Sequence, residues 1–473
     1  YNKHNSCYTK NMNILYIGSG FVGACSAAVS ADSGHQTLVF DIDERKIKLL
    51  SSCDRDTIQS CLFEDGLGDL LIRNKERVEF TTDYGKVEKF LDDCDAVFMC
   101  LPTPEIGETG ESDLSFYFKA AEQLSDALCQ RNGGKQTKYV VIVNKSTVPI
   151  EMVDRTQEVM EKAGVKNFGV VSNPEFLVEG KAIEGSIRPD RVVVGAWNEK
   201  DFGIMRQIYQ RFSNSATIKY IEVNPKEAAA GKLLANFYLF NKLAVCFDVI
   251  GRACETFSHL GFENIRKILT TDPRIGGWGF YDSLYAGGSC FIKDARSLTH
   301  QLQTAGQNAT IVNETYLANK RQLDVFLGRA EKDACLNWAG KKVALLGLAF
   351  KQDTNDIRNS PSINIVNHLI EQQVGEARCY DPVASEWFTK LFPASQQVEY
   401  FKSEAEAIDG ADVVIISTDW PQFRNVADIL LAGENRPLIM DGRRLLAHRY
   451  DELKKAGFKI IAVGSPLLTP PLT

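Results

Sequence analysis

The sequence lacks any Cys-x-x-Cys pair and any Cys/His cluster at zinc-ligand spacing, although it carries 12 cysteines in 473 residues. That scatter excludes a zinc ribbon or a dithiol redox centre. It supplies no disulfide framework either, so the cysteines read as reduced thiols in a reducing compartment, the cytoplasm. The six histidines, His4, His35, His259, His300, His368 and His448, show no metal spacing and no Ser/His/Asp arrangement, so no metal is expected. An excess of positive charge is also missing. The net charge is −7, which disfavours nucleic acid or an anionic membrane as the main partner. No apolar run of 18 or more residues stands out, so no membrane-spanning helix is expected. The polar first twelve residues have no signal-peptide core and begin with Tyr1, so 1–12 are expected to be a leader, with Met12 as an alternative natural start.

What is present is ordinary globular composition, 44% hydrophobic and 24% charged, in a chain long enough for two or three domains. Residues 13–17 read as a buried strand, and Gly18-Ser19-Gly20-Phe21-Val22-Gly23 follows at once. A small-residue stretch, 24–31, then reads as a helix, and a second strand, 37–40, ends at Asp41. A glycine triad placed between a strand and a helix, with an acid closing the next strand, is a dinucleotide-binding βαβ unit. Further strands are expected at 96–101, 139–144, 169–172 and 191–195, giving a mainly parallel sheet with ligands at its carboxyl ends. Between 226 and 258, Leu233, Phe237, Phe240, Ala244 and Phe247 recur at helical spacing with no proline, which predicts one long helix. From 341 the strand pattern restarts at 342–347, 377–380 and 411–417. Tyr380-Asp381 echoes Phe40-Asp41, but this half has no glycine triad. The fold class is therefore α/β, with two Rossmann-like parallel-sheet domains joined by a central helical domain. The boundaries are a leader (1–12), a dinucleotide domain (13–225), the helical domain (226–335), a second Rossmann-like domain (336–464) and a Pro-rich tail without periodicity, expected to be disordered (465–473).

Several residues fit chemistry. Gly18, Gly20 and Gly23 match a tight turn, close approach of a pyrophosphate and close helix packing. Asp41 suits the adenosine ribose hydroxyls and would repel a 2′-phosphate, favouring NAD over NADP, although Arg45 and Lys46 lie nearby. Cys290 follows Gly287-Gly288-Ser289 where a loop is expected to become a helix. A helix N-terminus favours the nucleophilic thiolate, and Asp294 returns to the same face one turn on. Lys232 and Asn236 share a helical face; read alone they are a solvated pair. Glu175 sits after a strand, either as a proton-transfer carboxylate or as a helix-start charge. Asp381 and Asp419 are assigned to turns and capping. Arg443-Arg444 is either a solvated turn or a phosphate contact.

Taken in order, these segments resemble the UDP-glucose/GDP-mannose dehydrogenase family of nucleotide-sugar dehydrogenases. The carriers are the glycine triad, Lys145-Ser146-Thr147-Val148-Pro149, Ser172-Asn173-Pro174-Glu175-Phe176-Leu177, Gly287-Gly288-Ser289-Cys290 with Lys293-Asp294, and Gly347-Leu348-Ala349-Phe350-Lys351 with Asp356-Ile357-Arg358. The resemblance covers nearly the whole chain after residue 12. It implies a four-electron oxidation of a sugar C6 alcohol to a carboxylate, with two NAD. Cys290 would trap the aldehyde as a thiohemiacetal that is then oxidised to a thioester. By the same resemblance, Lys232 and Asn236 stabilise oxyanion character and Asp294 aids proton removal. Glu175 is the base for thioester hydrolysis, with Thr147 placing the water.

The cofactor contacts it implies begin with Phe21, Val22, Asp41 and Lys46 beside the glycines. Thr103, Ser146, Thr147 and Glu179 follow, and Cys290, Lys293 and Arg358 complete them. Toward the sugar nucleotide it implies Glu175, Phe176, Leu177, Lys232 and Asn236, then Gly287, Phe291, Phe350 and Lys351. Arg274 would reach a neighbouring subunit's substrate, and Arg443 the substrate or the subunit interface, so a homodimer or higher oligomer is expected.

Three features depart from the family pattern. Ala286 replaces an aromatic before the glycine pair, Ile292 replaces a proline, and the 277–285 loop is atypical. Ser289 favours a UDP-glucose substrate over N-acetylated sugars. The alternatives are the same oxidation of another nucleotide sugar such as GDP-mannose, a two-electron hydroxyacid dehydrogenase, and a non-catalytic NAD-binding scaffold.

Overall fold

The computed structural model describes residues 11–281 and 283–471. Residues 1–10 of the expected leader, Asp282 of the atypical loop and the last two residues of the tail lie outside the described residues. The chain divides into two compact units between Ala235 and Asn236, inside the long helix.

The first unit is built on an eight-stranded sheet. Its strands are β1 (Asn13–Ile17), β2 (Gln36–Phe40), β3 (Val78–Thr81), β4 (Ala96–Met99), β5 (Val140–Asn144), β6 (Phe168–Ser172), β7 (Arg191–Gly195) and β8 (Lys219–Val223), in the spatial order β3-β2-β1-β4-β5-β6-β7-β8. All neighbours run parallel except β6 and β7, which meet antiparallel at Ser172 and Gly195. The order reverses between β1 and β4, the crevice where open α/β sheets bind ligands. Alternation explains why the sheet is covered on both faces: Ile14 and Tyr16 enter one core, Leu15 and Ile17 the other. Met12, inside the expected leader, is buried, and its carbonyl accepts from the Gln36 amide.

The second unit carries a six-stranded parallel sheet of β9 (Lys342–Leu346), β10 (Glu376–Tyr380), β11 (Val398–Tyr400), β12 (Val413–Ile416), β13 (Leu438–Asp441) and β14 (Ile460–Ala462). Its order, β11-β10-β9-β12-β13-β14, repeats the first six strands of the other sheet. Both sheets are therefore Rossmann-like, with a helical region between them. That region includes the helices Cys290–Thr304 and Thr310–Lys332, whose Leu298 and Phe326 join the same core as Val343 and Leu345 of β9. The tail is not free of structure: Leu468 and Ile460 exchange backbone hydrogen bonds.

The long helix spans 225–256, with a π-helical stretch at Val245–Gly251. It bears on the expected absence of a membrane-spanning helix. Its most apolar 18-residue window has a mean hydropathy of 1.5, long and apolar enough by length and composition to cross a membrane, with 39% of that window buried. Asn236, Asn241, Lys242 and Asp248 break the strictly apolar run that sequence reading looks for, yet a few polar residues leave the average high. Lys232 and Asn236 are buried here, at 4% and 6% exposure, so this helix serves as core and as a carrier of polar groups.

Candidate active site

In the first unit the three glycines serve three separate needs. Gly18 has φ +102, and a Cβ there would meet the Cys100 carbonyl oxygen at 2.2 Å. A Cβ on Gly23 would lie 2.0 Å from the Gly18 carbonyl oxygen. Gly20 differs: nothing lies within 4 Å of its Cβ position. It is the N-cap of the helix Phe21–Asp32 and gives that helix no side-chain cap. The helix's first internal bond runs from the Ala24 amide to Gly20, so the Phe21, Val22 and Gly23 amides head the helix where a pyrophosphate would be held. The residues present therefore fit a dinucleotide.

Asp41, at the end of β2, accepts from the Ser19 amide and hydroxyl, both at 2.7 Å, and from the Asp43 amide at 3.0 Å. Lys46 lies 3.5 Å away. Burial pushes the Asp41 carboxyl up, but these hydrogen bonds and the Lys46 charge outweigh it and leave it below its ordinary range. Ser146 accepts from the Leu101 amide at 2.8 Å and bonds the Leu101 carbonyl at 2.7 Å. The Thr103 hydroxyl donates to the Thr147 carbonyl at 2.8 Å. These two side chains staple the loops after β4 and β5 to each other.

The loop after β6 carries the first unit's charged centre. Lys232 Nζ stands 3.2 Å from Glu175 Oε1, and both are nearly sealed from solvent. Glu175 also accepts from the Leu177 amide. Phe176 presents its ring to Arg191 at 3.9 Å and to Lys232 at 5.4 Å. Glu179 is half-buried on the same loop. Sequence reading missed four residues that hold this centre. Buried Glu64 accepts from the Gly180 and Ala182 amides, fixing the far end of the loop. Lys145 donates to Asn173 Oδ1 at 3.0 Å, and Tyr209 donates to the same oxygen at 2.5 Å. Lys145 and Asn173 stood inside the quoted motifs; nothing in the local pattern marks Glu64 or Tyr209. A cavity of about 330 Å³ opens beside this centre, lined by Glu175, Lys145, Asn173 and Tyr209 among others.

In the second unit Cys290 is exposed and is the first residue of its helix, with Ser289 Oγ 3.8 Å from its sulfur. Asp294, 1% exposed, accepts from Asn236 Nδ2 and Lys293 Nζ, both at 2.6 Å. Lys293 is thus an ion-pair partner of Asp294. The glycine pair is demanded by packing. A Cβ on Gly287 would meet the Asn359 carbonyl at 2.7 Å, and one on Gly288, φ +82, the Phe350 ring at 2.9 Å. Ala286 is locked by Asn319, which donates to its carbonyl and accepts from its amide. Phe291 stacks on Phe240 at 6.2 Å.

The remaining arginines are anchored locally. Arg443 donates to the Ser417 and Phe350 carbonyls, Arg358 grips Asp356, and exposed Arg274 grips Asp272. Lys351 is half-buried, its ammonium 5.8 Å from the Phe350 ring centre. Cys25, Cys53, Cys61, Cys94, Cys100, Cys129, Cys335 and Cys379 are free thiols.

Comparison with known proteins agrees with this geometry. Three models of the UDP-glucose/GDP-mannose dehydrogenase family match: the NAD binding domain over residues 12–213, the central domain over 226–321 and the UDP binding domain over 344–448. A UDP-glucose 6-dehydrogenase of Pseudomonas aeruginosa is 31% identical over 465 residues, covering 96% of this chain and 98% of its own length. This chain belongs to the UDP-glucose/GDP-mannose dehydrogenase family. UDP-glucose 6-dehydrogenase TuaD of Bacillus subtilis is 32% identical over 96% of this chain and 93% of its own. Among solved structures, a UDP-glucose dehydrogenase from the archaeon Pyrobaculum islandicum superposes with a TM-score of 0.83 at 26% identity, covering 94% of this chain and 96% of its own. The family's chemistry is NAD-dependent oxidation of a nucleotide sugar, so the chain is an oxidoreductase with a nicotinamide-dinucleotide-binding Rossmann domain.

Proposed function

We propose that the substrate is UDP-glucose and the product UDP-glucuronate, formed by a four-electron oxidation through a covalent intermediate on Cys290. The reading is carried by the retained nucleophile at a helix start, with Ser289 before it, in a chain 31% identical along 96% of its length to a UDP-glucose 6-dehydrogenase. NAD, when bound, accepts the hydrides of both oxidation steps. Asp41 supports NAD over its 2′-phosphorylated form: its carboxylate is held charged at the ribose end, and Lys46 leans on it.

In this reading the Cys290 thiolate attacks the intermediate aldehyde to give a thiohemiacetal, and oxidation leaves a thioester. Asn236 and Lys232 are the donors available to an oxyanion. Asp294, which accepts from Lys293 and Asn236, is the acceptor for alcohol protons. Glu175 activates the water that frees the acid, with Thr147 as the water's second contact. The same reading includes a homodimer or higher oligomer, supported by exposed Tyr238, Val245 and Val249 on the long helix, and a reducing cytoplasmic setting, supported by the free thiols.

NADH production with a panel of UDP- and GDP-sugars tests the proposal. Two NADH per UDP-glucose are expected. Turnover of GDP-mannose instead moves the substrate assignment, and one NADH with a released aldehyde or ketone overturns the four-electron reading. Cys290→Ser is expected to cut turnover by about 10³-fold or more while dinucleotide binding persists. Unchanged turnover excludes Cys290 as nucleophile.

A further inference from the structure

The proposed oxidation has a proton problem, and this inference rests on that reading. An alcohol, water and two NAD⁺ become a carboxylate, two NADH and three H⁺. Glu175 and Lys232 are the charged groups of the first unit assigned to proton and oxyanion work, and their side chains are only 8% and 5% exposed. Protons reaching them need a way out.

The cavity beside them offers one. It is polar on this side, lined by Glu175, Lys145, Asn173 and Tyr209, and its volume of about 330 Å³ holds several waters. Lys145 is 7% exposed. It donates to Asn173 Oδ1 at 3.0 Å and to the Tyr209 hydroxyl at 3.4 Å. Among the described residues no carboxylate comes within ion-pair distance of it. A surface lysine has water, and a structural buried lysine has a counter-ion. Lys145 has two neutral oxygens and a cavity with room for several waters.

We infer that Lys145 is a positioning residue that carries protons between the Glu175–Lys232 pair and water in this cavity. Each transfer exchanges one proton: protonated Glu175 passes it, directly or through one water, to the neutral Lys145 amine, and the ammonium then releases it to cavity water. Only O–H and N–H bonds change, and no electrons move.

The charge environment fits this role. Burial lowers the Lys145 ammonium to about 8; Cys100 and Glu175 pull it up, and Lys232 pushes it down. The groups facing it are Cys100 after β4, Glu175 after β6, Lys232 on the long helix and Tyr209, with Tyr16 of β1 behind Tyr209. Burial lifts the Cys100 thiol to about 12 and drives the Tyr209 and Tyr16 phenols up as well. None of those three exchanges protons near neutrality.

The test uses the full-length protein with UDP-glucose and NAD. The expected kcat of the unaltered protein rises with pH through about 8, as the amine becomes neutral. Lys145→Met removes that rise and lowers kcat by about 10²-fold, with NADH binding within about twofold of the parent by fluorescence. In Lys145→Ala, added methylamine or ethylamine restores part of the turnover, which a merely structural lysine would not allow. Lys145→Met keeping the rise, or Lys145→Ala showing no amine rescue, overturns the inference. Should Lys145→Met not fold, Lys145→Arg carries the test. It keeps the charge without a titratable amine, so full turnover with an unchanged profile overturns the inference and a low, flat profile supports it. Absence of two NADH per sugar in the unaltered protein overturns the proposed function instead, so the two failures are distinct.

Discussion

The two Rossmann-like sheets share a strand order and a first turn, yet only one ends in a ligand-ready helix. In both, a glycine with positive φ follows the first strand, +102 at Gly18 and +95 at Gly347, and its amide donates to the end of the second strand at 2.8 Å. In both, an acid closing the second strand accepts the next amide, Ser19 by Asp41 and Leu348 by Asp381. They then diverge. After Gly18 the helix begins at Phe21 with Gly20 as an uncapped start. After Gly347 the chain wanders to Pro361, where Ser360 caps its own helix and proline supplies no amide. Asp381 is consumed as well. It accepts from the amides of Leu348, Ala349, Val383 and Ala384 and from the Trp420 indole, and is 4% exposed. An anion-binding helix start is thus the βαβ turn with its cap left open and its acid less fully engaged: Asp41 takes three donors, two of them from Ser19, where Asp381 takes five.

The largest expected effect tests what the copies share. Gly18→Ala and Gly347→Ala each place a Cβ within 2.2 to 2.4 Å of a neighbouring atom at a positive φ, so each should cost more than about 4 kcal/mol in denaturant unfolding. Tolerance at either position breaks the parallel. Asp381→Ala strands five donors and should cost about 4 kcal/mol, whereas Asp41→Ala should chiefly weaken NAD binding, by about tenfold. Equal loss of stability would erase the distinction between a structural and a ligand-facing acid. Gly20→Ala meets no atom, so it should fold like the parent yet lose about tenfold in NAD affinity by calorimetry. Ser360→Ala should cost about 1 kcal/mol and leave NAD binding alone.

The smallest effect concerns pH. The Asp41 carboxyl is held below its ordinary value in the fold, so its contribution to stability is present above about pH 4 and is lost as the pH falls through the folded value. Asp41→Asn should flatten that acid limb in thermal melts, and an identical limb would place the titrating group elsewhere.

Much of this was legible because local rules are short-range. The β1 bounds, the glycine triad before a helix and the repeat at β9 and β10 follow from period-two apolarity and from glycine's freedom at positive φ. Cys290 at a helix start was readable too. Other features were not. Ser146 and Thr103 spend hydroxyls on backbone rather than standing open, the glycine pair before Cys290 exists to admit Phe350 and Asn359, and Lys293 pairs with Asp294. Each depends on a neighbour distant in sequence.

By itself the sequence determined the two-sheet plan, the dinucleotide turn and the cysteine at a helix start, since all three are written in residues a few positions apart. Only the tertiary structure decided which acids and hydroxyls are already spent and that Lys145 is a buried cation facing a cavity. Burial and partner choice come from chain segments as far apart as β1, the β6 loop and the long helix, and a one-dimensional pattern does not record which of them meet.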